Sequence, residues 1–473
     1  MDFVLRIPLS FHLTPFKGVI AQMNHEASRR HRSFSWMLIA LILLTLSLAS
    51  CGAPAATPNP IEPTTAATKP IGPTTAAPMP AEPTVTPPAA PTESSQPATP
   101  TPPDASFVSI PSGHKTSSGY ECPEPQPKLP VTSTELNLFI WTEYVPQDIL
   151  DCFEMIYGVK INKGEYSSNE EMYAKLAQGG SLYDLAQPSD YIIEVMIRTG
   201  VIDKLDKSQL PNLKNIAPNY FPVPYDPTGE YIVPYEAGTE SIMYNADKVQ
   251  TPITSWEDLW KPEYKDRMVF VDDPRYVIGM TLLTEGKNPN TTNPDDLKAI
   301  KPKLAELIQG VKVFNSDNPR DSLLNGDADL GFIWNGDAFL AAQQDPAFKY
   351  VYPKEGTFVW RDGYALVKDA PHQDAAYAWL NYSLQPDVFW LMLRDWPYTN
   401  PNQAALEYAK NATFTVKDAD GNDVTPAQLY EAYMASDITN PPPDVLAKAH
   451  SISDVGAATP LYDELWTEVK SGH

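Results

Sequence analysis

Two tryptophans in this sequence each stand at the end of a short apolar segment and are followed, two residues later, by an acid. The pairs are Trp141 with Glu143 and Trp360 with Asp362. Because residues i and i+2 of an extended strand point to the same side, each pair could present an indole face beside a carboxylate. This combination suits an organic cation with an apolar body. The ring face attracts the cation by about 0.5–2 kcal/mol, and the carboxylate adds a charge-assisted hydrogen bond of about 1.5–3 kcal/mol.

The same spacing also occurs where it should carry no function. Trp256 and Trp466 are each followed two residues later by an acid, but both lie in helix-like segments. On a helix, residues i and i+2 do not face each other, so a core tryptophan and a solvated acid are the favoured interpretation there. For the two strand pairs, the spacing alone leaves a structural and a functional role equally open.

The N-terminus predicts export. Arg29, Arg30 and Arg32 precede an apolar run over residues 36–48, and small residues then lead into Cys51. This order is typical of a secretory signal over residues 1–50, and the segment Leu-Ala-Ser-Cys resembles the lipobox of bacterial lipoproteins. By that resemblance Cys51 becomes the lipidated first residue of the mature chain. A plain signal peptide or a transmembrane anchor is the alternative, and Met23 is a possible true start.

Residues 51–132 are predicted to form a tether and a segment that leads into the folded body. Residues 52–106 contain no Phe, Tyr, Trp or Leu and are dominated by Pro, Ala and Thr. Such a segment cannot bury enough apolar surface to offset its chain entropy, so it should be semi-extended. Beyond the lipobox only Cys122 and Cys152 remain. In an exported protein they form either one disulfide or two buried thiols.

Composition excludes several classes of protein. The formal net charge of −24 argues against a nucleic-acid partner and against attraction to anionic lipid, so the membrane link should be the covalent lipid. Three cysteines and seven histidines without clustered spacing give no zinc signature. The sequence also lacks the common nucleophile, zinc-hydrolase and phosphate-loop motifs, and no cofactor is predicted. These observations indicate that the chain is not an enzyme.

From about residue 133 the composition becomes that of a folded body of about 340 residues, which is large enough for two lobes. Strand-like segments (136–141, 159–164, 182–187) alternate with helix-like segments (146–157, 169–178). This alternation predicts an α/β fold with helices on both faces of a sheet. Ligands of such folds bind beyond the carboxyl ends of strands, where Trp141 and Ser189 should lie.

Several longer segments then carry a resemblance to a known family. They run in order from Trp141-Thr142-Glu143-Tyr144-Val145-Pro146, through Pro188-Ser189-Asp190-Tyr191, Thr254-Ser255-Trp256-Glu257-Asp258-Leu259-Trp260 and Ile333-Trp334-Asn335-Gly336, to Asp454-Val455-Gly456-Ala457-Ala458. With them the body resembles the spermidine/putrescine-binding proteins of ABC importers, which have the type II extracellular solute-binding fold. The leader and the tether lie outside the resemblance.

The resemblance implies an organisation as well as a function. The expected fold is a two-lobed type II periplasmic-binding-protein fold with a central ligand cleft and crossing hinge strands. Lobe one is expected over 134–237 plus 361–403, and lobe two over 238–360 plus 404–473. The expected protein is a monomer that captures polyamines by cleft closure at the cell surface or in the periplasm. Its expected partners are an ABC permease and an ATPase, both on separate chains.

The resemblance also implies the lining of the pocket. The matched positions are Trp141, Thr142, Glu143, Tyr144, Ser189, Tyr191, Asp273, Tyr276, Trp334, Trp360, Asp362 and Tyr398. Among them, Asp273 matches an acid that holds a terminal amine, and Trp360 with Asp362 matches the ring and the acid that hold the amine chain. Trp334 matches an aromatic wall.

Two positions depart from the family pattern. Tyr276 stands where spermidine binders carry a glutamate, and Ile452 stands where they carry a glutamine. A carboxylate lost near an ammonium costs about 1.5–3 kcal/mol, so putrescine, or another short or singly charged amine, is expected to be preferred over spermidine. Glu236 or Glu240 could supply a replacement charge. Binding of another amine, amino-acid-like or sugar solute stays open, as does a ligand-sensing role for a surface lipoprotein.

Overall fold

A computed structural model of the chain describes residues 107–179, 182–418 and 421–472. The signal segment, Cys51 and the tether up to residue 106 lie outside the described residues, so the predictions on them stay predictions. Across the three described ranges, no helix combines the length and the apolar character that a membrane crossing requires.

The described ranges contain β1 (Pro111–Lys115), β2 (Glu121–Pro123), β3 (Glu135–Trp141), β4 (Lys160–Tyr166), β5 (Leu185–Ala186), β6 (Ile232–Asn245), β7 (Met268–Phe270), β8 (Val311–Phe314), β9 (Leu330–Trp334), β10 (Phe348–Val351), β11 (Phe358–Leu366), β12 (Val416–Lys417), β13 (Asp423–Val424) and β14 (His450–Ser451). The helices are α1 (Gln147–Tyr157), α2 (Asn169–Ala177), α3 (Asp190–Thr199), α4 (Pro274–Thr284), α5 (Pro294–Gly310), α6 (Pro319–Leu324), α7 (Asn335–Gln344), α8 (Gln373–Ser383), α9 (Pro386–Phe389), α10 (Met392–Asp395), α11 (Gln403–Asn411), α12 (Pro426–Met434), α13 (Pro443–Leu446) and α14 (Thr459–Ser471).

The predicted alternation of strands and helices at the start of the body is confirmed, because each element is encoded locally. Helix α1 buries Ile149, Leu150 and Phe153 on one face and ends at Gly158, whose φ of 67° is left-handed. Helix α2 begins at Ser168, whose side chain accepts a hydrogen bond from the Glu171 backbone N–H.

One large mixed sheet organises the fold. Its strands follow the order β4-β3-β5-β11-β6-β9-β7-β8, and β10 and β14 are added beside β6 and β11. Strands β3, β4 and β5 are mutually parallel, and so are β7, β8 and β9. Strands β6 and β11 pair antiparallel with each other and with their neighbours β9 and β5, so they join the two parallel sets.

The register of β6 and β11 fixes which residues share a face. Asp362 pairs with Glu236, Trp360 with Gly238, and Phe358 with Glu240. Side chains directly opposite each other in an antiparallel pair lie on the same face. The register shifts immediately after Asp362, where Gly363 pairs with Pro234.

A disulfide holds the segment that leads into the body. Cys122 in β2 and Cys152 in α1 are bonded, with their Cα atoms 5.3 Å apart, so of the two alternatives the disulfide is the one found. The same segment is also fixed by polar contacts. The Tyr120 hydroxyl donates to the Asp387 carbonyl over 2.5 Å, and the Ser118 hydroxyl donates to Asp148 over 2.8 Å.

The last part of the chain packs in two places. Helix α11 packs against α9 and α12, and α12 also packs against α10. The final helix α14 instead packs against α4 and α5. Trp256 is fully buried in a short 3-10 helix and its indole N–H donates to the Gly356 carbonyl over 2.8 Å, which confirms its interpretation as a core residue.

Candidate functional site

The six parallel strands deliver their carboxyl ends to one cleft, at the position that open α/β sheets use for ligands. The cleft, counted together with the part of it that is open to solvent, spans about 600 Å³ of empty space. Its lining comes from the loops after β3, β4, β5, β7, β8 and β9, from strand β11 and from Tyr398. The lining residues are Trp141, Thr142, Glu143, Tyr144, Ser167, Asn169, Ser189, Asp273, Tyr276, Ser316, Asp317, Trp334, Trp360, Asp362 and Tyr398.

The structure brings together all the sequence-predicted site residues except one. Tyr191 does not line the cleft; it is buried in helix α3, and its hydroxyl donates to the Glu170 carboxylate over 2.8 Å. Four lining residues were not among the predicted ones: Ser167, Asn169, Ser316 and Asp317. The sequence contained a signal for these four residues, because they follow the carboxyl ends of β4 and β8 just as Ser189 follows that of β5.

The two tryptophan–acid pairs differ from each other in the structure. Trp360 and Asp362 both belong to β11, so the alternation of a strand does place them on one face. Strand β3 ends at Trp141, and Glu143 lies in the following turn with a left-handed φ of 51°. The expectation that Glu143 shares a strand face with Trp141 is therefore wrong. Glu143 is exposed at the rim of the cleft, and the Trp141 ring packs on Tyr166 at 4.6 Å.

A chain of aromatic rings forms one wall of the cleft. Tyr276 contacts Trp334 at 6.2 Å, Trp334 contacts Trp360 at 6.1 Å, and Trp360 contacts Tyr398 at 5.3 Å. The last link joins Tyr398 to Tyr144 at 5.5 Å. Every contact is edge-to-face, the geometry in which a positive ring edge meets a negative ring face. The wall is therefore both apolar and able to attract a cation.

The Trp360 ring reaches this wall only because residue 238 is glycine. Trp360 and Gly238 are directly paired across β11 and β6. A Cβ atom at position 238 would overlap the Trp360 ring and the side-chain oxygen of Asn335. The missing side chain thus makes room for the tryptophan.

The charge of the lining has one sign. Its ionisable carboxyls belong to Glu143, Asp273, Asp317 and Asp362, and no lysine, arginine or histidine is among the lining residues. Asp273 and Asp362 are the two buried members. An acidic, cation-free cleft with aromatic walls favours a positively charged organic ligand.

Asp273 is held rigidly at the start of helix α4. Its Oδ1 atom accepts hydrogen bonds from the backbone N–H groups of Arg275 at 2.9 Å and of Tyr276 at 3.3 Å. Burial, with a smaller contribution from the negative charge of Glu170, raises the pKa of Asp273 to about 7. The residue is both a helix cap and a carboxyl that gains or loses a proton near neutral pH.

Asp362 is the second buried acid of the cleft. Burial raises its pKa well above the ordinary value, and the charge of Asp190 adds to this, while the polar side chains of Ser189 and Tyr144 act in the opposite direction. Its Oδ1 atom is buried and has no hydrogen-bond partner among the described residues. An unpaired buried carboxylate is costly, so this atom is ready for a cationic partner.

Glu236 and Glu240 do not line the cleft. They are fully buried on β6, on the face that carries Trp360 and Asp362, and none of their carboxyl oxygens has a hydrogen-bond partner in the described part of the chain. Burial raises the pKa of both well above the ordinary range, and the charge of Asp362 adds to this for Glu236 and that of Asp273 for Glu240.

The two departures from the family pattern have different positions. The Tyr276 ring lies in the wall, 6.2 Å from Trp334 and 5.4 Å from Phe358. Ile452 is buried away from the cleft lining. The position of Tyr276 is therefore filled by an aromatic ring where an acid was expected from the family pattern.

The fold and the site together define a class of protein. Two parallel strand sets joined by two long antiparallel strands, with a cleft at the carboxyl ends, form the architecture of type II solute-binding proteins. The model of the family described as bacterial extracellular solute-binding protein matches residues 149–418, which is more than half of the chain. The chain belongs to this family.

Individual relatives agree with the resemblance found in the sequence. The chain is 37% identical over 339 residues to the spermidine/putrescine-binding periplasmic protein of Escherichia coli (strain K12), which covers 71% of this chain and 92% of the relative. It is 31% identical over 361 residues to the putrescine-binding periplasmic protein PotF of the same organism, covering 71% and 91%. The crystal structure of the TpPotD lipoprotein of Treponema pallidum matches with a TM-score of 0.59 at 26% identity, over 71% of this chain and 99% of that one.

Replacing Gly238 with alanine is expected to disturb the cleft wall. Because the added methyl group must displace the Trp360 ring, Gly238→Ala should lower the free energy of unfolding by about 1–3 kcal/mol and shift the tryptophan emission. Urea unfolding followed by fluorescence measures both. Gly310→Ala is the control, because its Cβ would meet the flexible end of Met268 at 3.3 Å and otherwise make only ordinary contacts with Lys265, at 3.9 Å or more. Equal effects of the two substitutions would contradict the role of Gly238.

Proposed function

We propose that this chain is the substrate-binding lipoprotein of an ABC importer and that its cleft captures polyamines such as putrescine or spermidine. The observation that carries the proposal is the lining itself, which combines two buried acids, two acids nearer the surface and a continuous aromatic wall without any basic side chain. The two Escherichia coli relatives are a spermidine/putrescine-binding protein and a putrescine-binding protein, which supports the same ligand class.

The chemistry of the cleft fits an alkyl chain with charged ends. The ring faces can cover methylene groups and attract an ammonium, and Asp273 and Asp362 can each accept a charge-assisted hydrogen bond. A neutral sugar could donate hydrogen bonds to both buried carboxyls but would bring no counter-charge, and a buried charge without a counter-charge is costly. The arrangement therefore favours a cation over an uncharged solute.

Capture would work by closure of two lobes around the ligand. Strands β6 and β11 would serve as the crossing hinge strands between the parallel sets, with lobe one over 134–237 plus 361–403 and lobe two over 238–360 plus 404–473. The packing of α11 and α12 on α9 and α10 supports moving residues 404–434 to lobe one, with α14 remaining in lobe two. A ligand that contacts both lobes would shift the population toward the closed form.

Export and membrane attachment complete the proposal. Cys51 would carry the lipid, the Pro-rich tether would provide reach, and the protein would act as a monomer at the cell surface or in the periplasm. The closed form would be presented to a permease and an ATPase that are separate chains. The protein would bind its solute without transforming it.

Isothermal titration calorimetry with putrescine, spermidine and spermine tests the ligand class. Because Tyr276 replaces an acid, putrescine should bind at least as tightly as spermidine, and both should bind far more tightly than glucose or glutamate. Tighter binding of spermidine than of putrescine would overturn the preference. Absence of binding by any amine would overturn the function itself.

The substitution Asp362→Asn tests the role of charge in the cleft. It keeps the shape of the side chain and removes its charge, so amine affinity should fall at least about tenfold while the fold survives. The matched control is Asp387→Asn, a buried acid outside the cleft, which should leave affinity unchanged. Unchanged affinity in Asp362→Asn would assign Asp362 a structural role.

Amine affinity should depend on pH around the pKa of Asp273. Since that pKa is about 7, the free protein holds a proton on Asp273 below pH 7, and a bound ammonium must displace it. Affinity for putrescine should therefore fall as the pH drops below 7, by up to about tenfold per pH unit. Titrations between pH 5 and 8 measure this. A flat profile over that range would contradict contact between the amine and Asp273.

A further inference from the structure

Glu236 and Glu240 form an unusual pair of buried acids behind the cleft. They flank Gly238 on one face of β6, so they lie on either side of the position over which the Trp360 ring packs. Across the strand pair, Glu236 faces Asp362, and Glu240 lies beside Phe358 on β11 and beside Trp334 on β9. Both glutamates are thus direct neighbours of the wall that holds the ligand.

No cation compensates either side chain. Glu236 is 1% exposed and Glu240 is 0% exposed, and all four of their carboxyl oxygens lack a hydrogen-bond partner among the described residues. The ionisable groups that interact electrostatically with Glu236 are Asp362, which faces it across the strand pair, and Tyr144, Tyr220, Tyr235, Tyr398 and Tyr433. Those that interact electrostatically with Glu240 are Asp273, Tyr276 and Tyr350. Neither set contains a lysine or an arginine.

Two ionised carboxylates cannot share such surroundings. A buried carboxylate without a partner loses its hydration, and a second negative charge beside it adds repulsion. Where two acids are packed together away from water, one of them keeps its proton. Asp362 lines the cleft and can be reached by a cation, whereas Glu236 cannot, so the proton of this pair stays on Glu236. Glu240 is fully buried and both of its carboxyl oxygens lack a partner among the described residues, so it keeps its own proton.

We propose that Glu236 and Glu240 are neutral carboxylic acids at physiological pH, that Glu236 is the proton-holding partner of Asp362 directly across the strand pair, and that neither glutamate adds charge to the site. The charge that the buried part of the cleft offers an amine is then that of Asp362 and Asp273 alone. What this inference implies for the ligand rests on the proposed function and makes that function more specific. Two buried charges match a diamine, and the two glutamates do not replace the acid missing at Tyr276.

Infrared spectroscopy of the ligand-free protein tests the protonation directly. At pH 8 the wild-type spectrum should contain the carbonyl band of protonated carboxyls, shifted on exchange into D₂O. Glu236→Gln and Glu240→Gln should each remove part of this band and leave the carboxylate bands unchanged. Loss of carboxylate intensity in either difference spectrum would show an ionised glutamate and overturn the proposal.

Calorimetry of the same two variants tests the consequence for binding. Because glutamine resembles a neutral carboxylic acid in shape and hydrogen bonding, both variants should bind putrescine within about threefold of wild type and keep the same ratio of putrescine to spermidine affinity. The loss of amine affinity in Asp362→Asn gives the effect of removing an ionised side chain, against which the two glutamine variants are compared. A loss of about tenfold in either glutamine variant would identify that glutamate as a charge of the site and overturn the proposal.

The two experiments separate this inference from the proposed function. If no amine binds the wild-type protein, the proposed function fails, while the infrared spectra still decide whether the glutamates hold protons. If amines bind and the protonated band is absent, the proposed function stands and the inference fails.

Discussion

The antiparallel pairing of β6 with β11 is the constraint on which the rest of the structure depends. These strands are the connection between the two parallel sets in the sheet, so their register determines how the carboxyl ends of β3, β4 and β5 oppose those of β7, β8 and β9. The same register places Trp360 over Gly238 and Asp362 beside Glu236. One set of main-chain hydrogen bonds thereby positions both the two halves of the cleft and its central ring and acid.

The second constraint is electrostatic. An acid whose pKa is raised by burial binds more protons in the folded state than in the unfolded state, so its contribution to stability falls as pH rises from its ordinary pKa toward the raised value. Asp273, with a pKa of about 7, has this property up to neutral pH, and Asp362, whose pKa burial also raises, has it too. A cation bound in the cleft compensates for the stability that the protein loses when these acids ionise. The ligand-free protein is therefore less stable than it would be with neutral residues at these positions. A cation that binds the cleft relieves this destabilisation and so binds more tightly.

Much of the fold could be predicted from the sequence, because its elements are encoded locally. The apolar face of α1, the Ser168 cap of α2 and the strand alternation around Trp360 are visible in single segments, and the core position of Trp256 follows from the helix-like segment around it. The turn at Glu143 could not be predicted, since a strand pattern does not show where pairing stops. The role of Gly238 could not be predicted either, because it depends on a ring from a strand more than a hundred residues away. Tyr191 lies behind the cleft for a similar reason, since its hydroxyl is held by Glu170 from another helix.

The position of Tyr276 shows how the two constraints interact. A glutamate there would have added a third buried carboxyl close to Asp273 and Glu240, in surroundings that already raise the pKa of both. The tyrosine ring instead extends the aromatic wall to Trp334 and Phe358, and its hydroxyl adds no charge at neutral pH because burial raises its pKa further. With a tyrosine at this position no further carboxyl is added beside Asp273, which is the buried acid that lines this part of the cleft. The residue type at position 276 thus determines how many carboxyls lie near Asp273, although the tyrosine itself carries no charge.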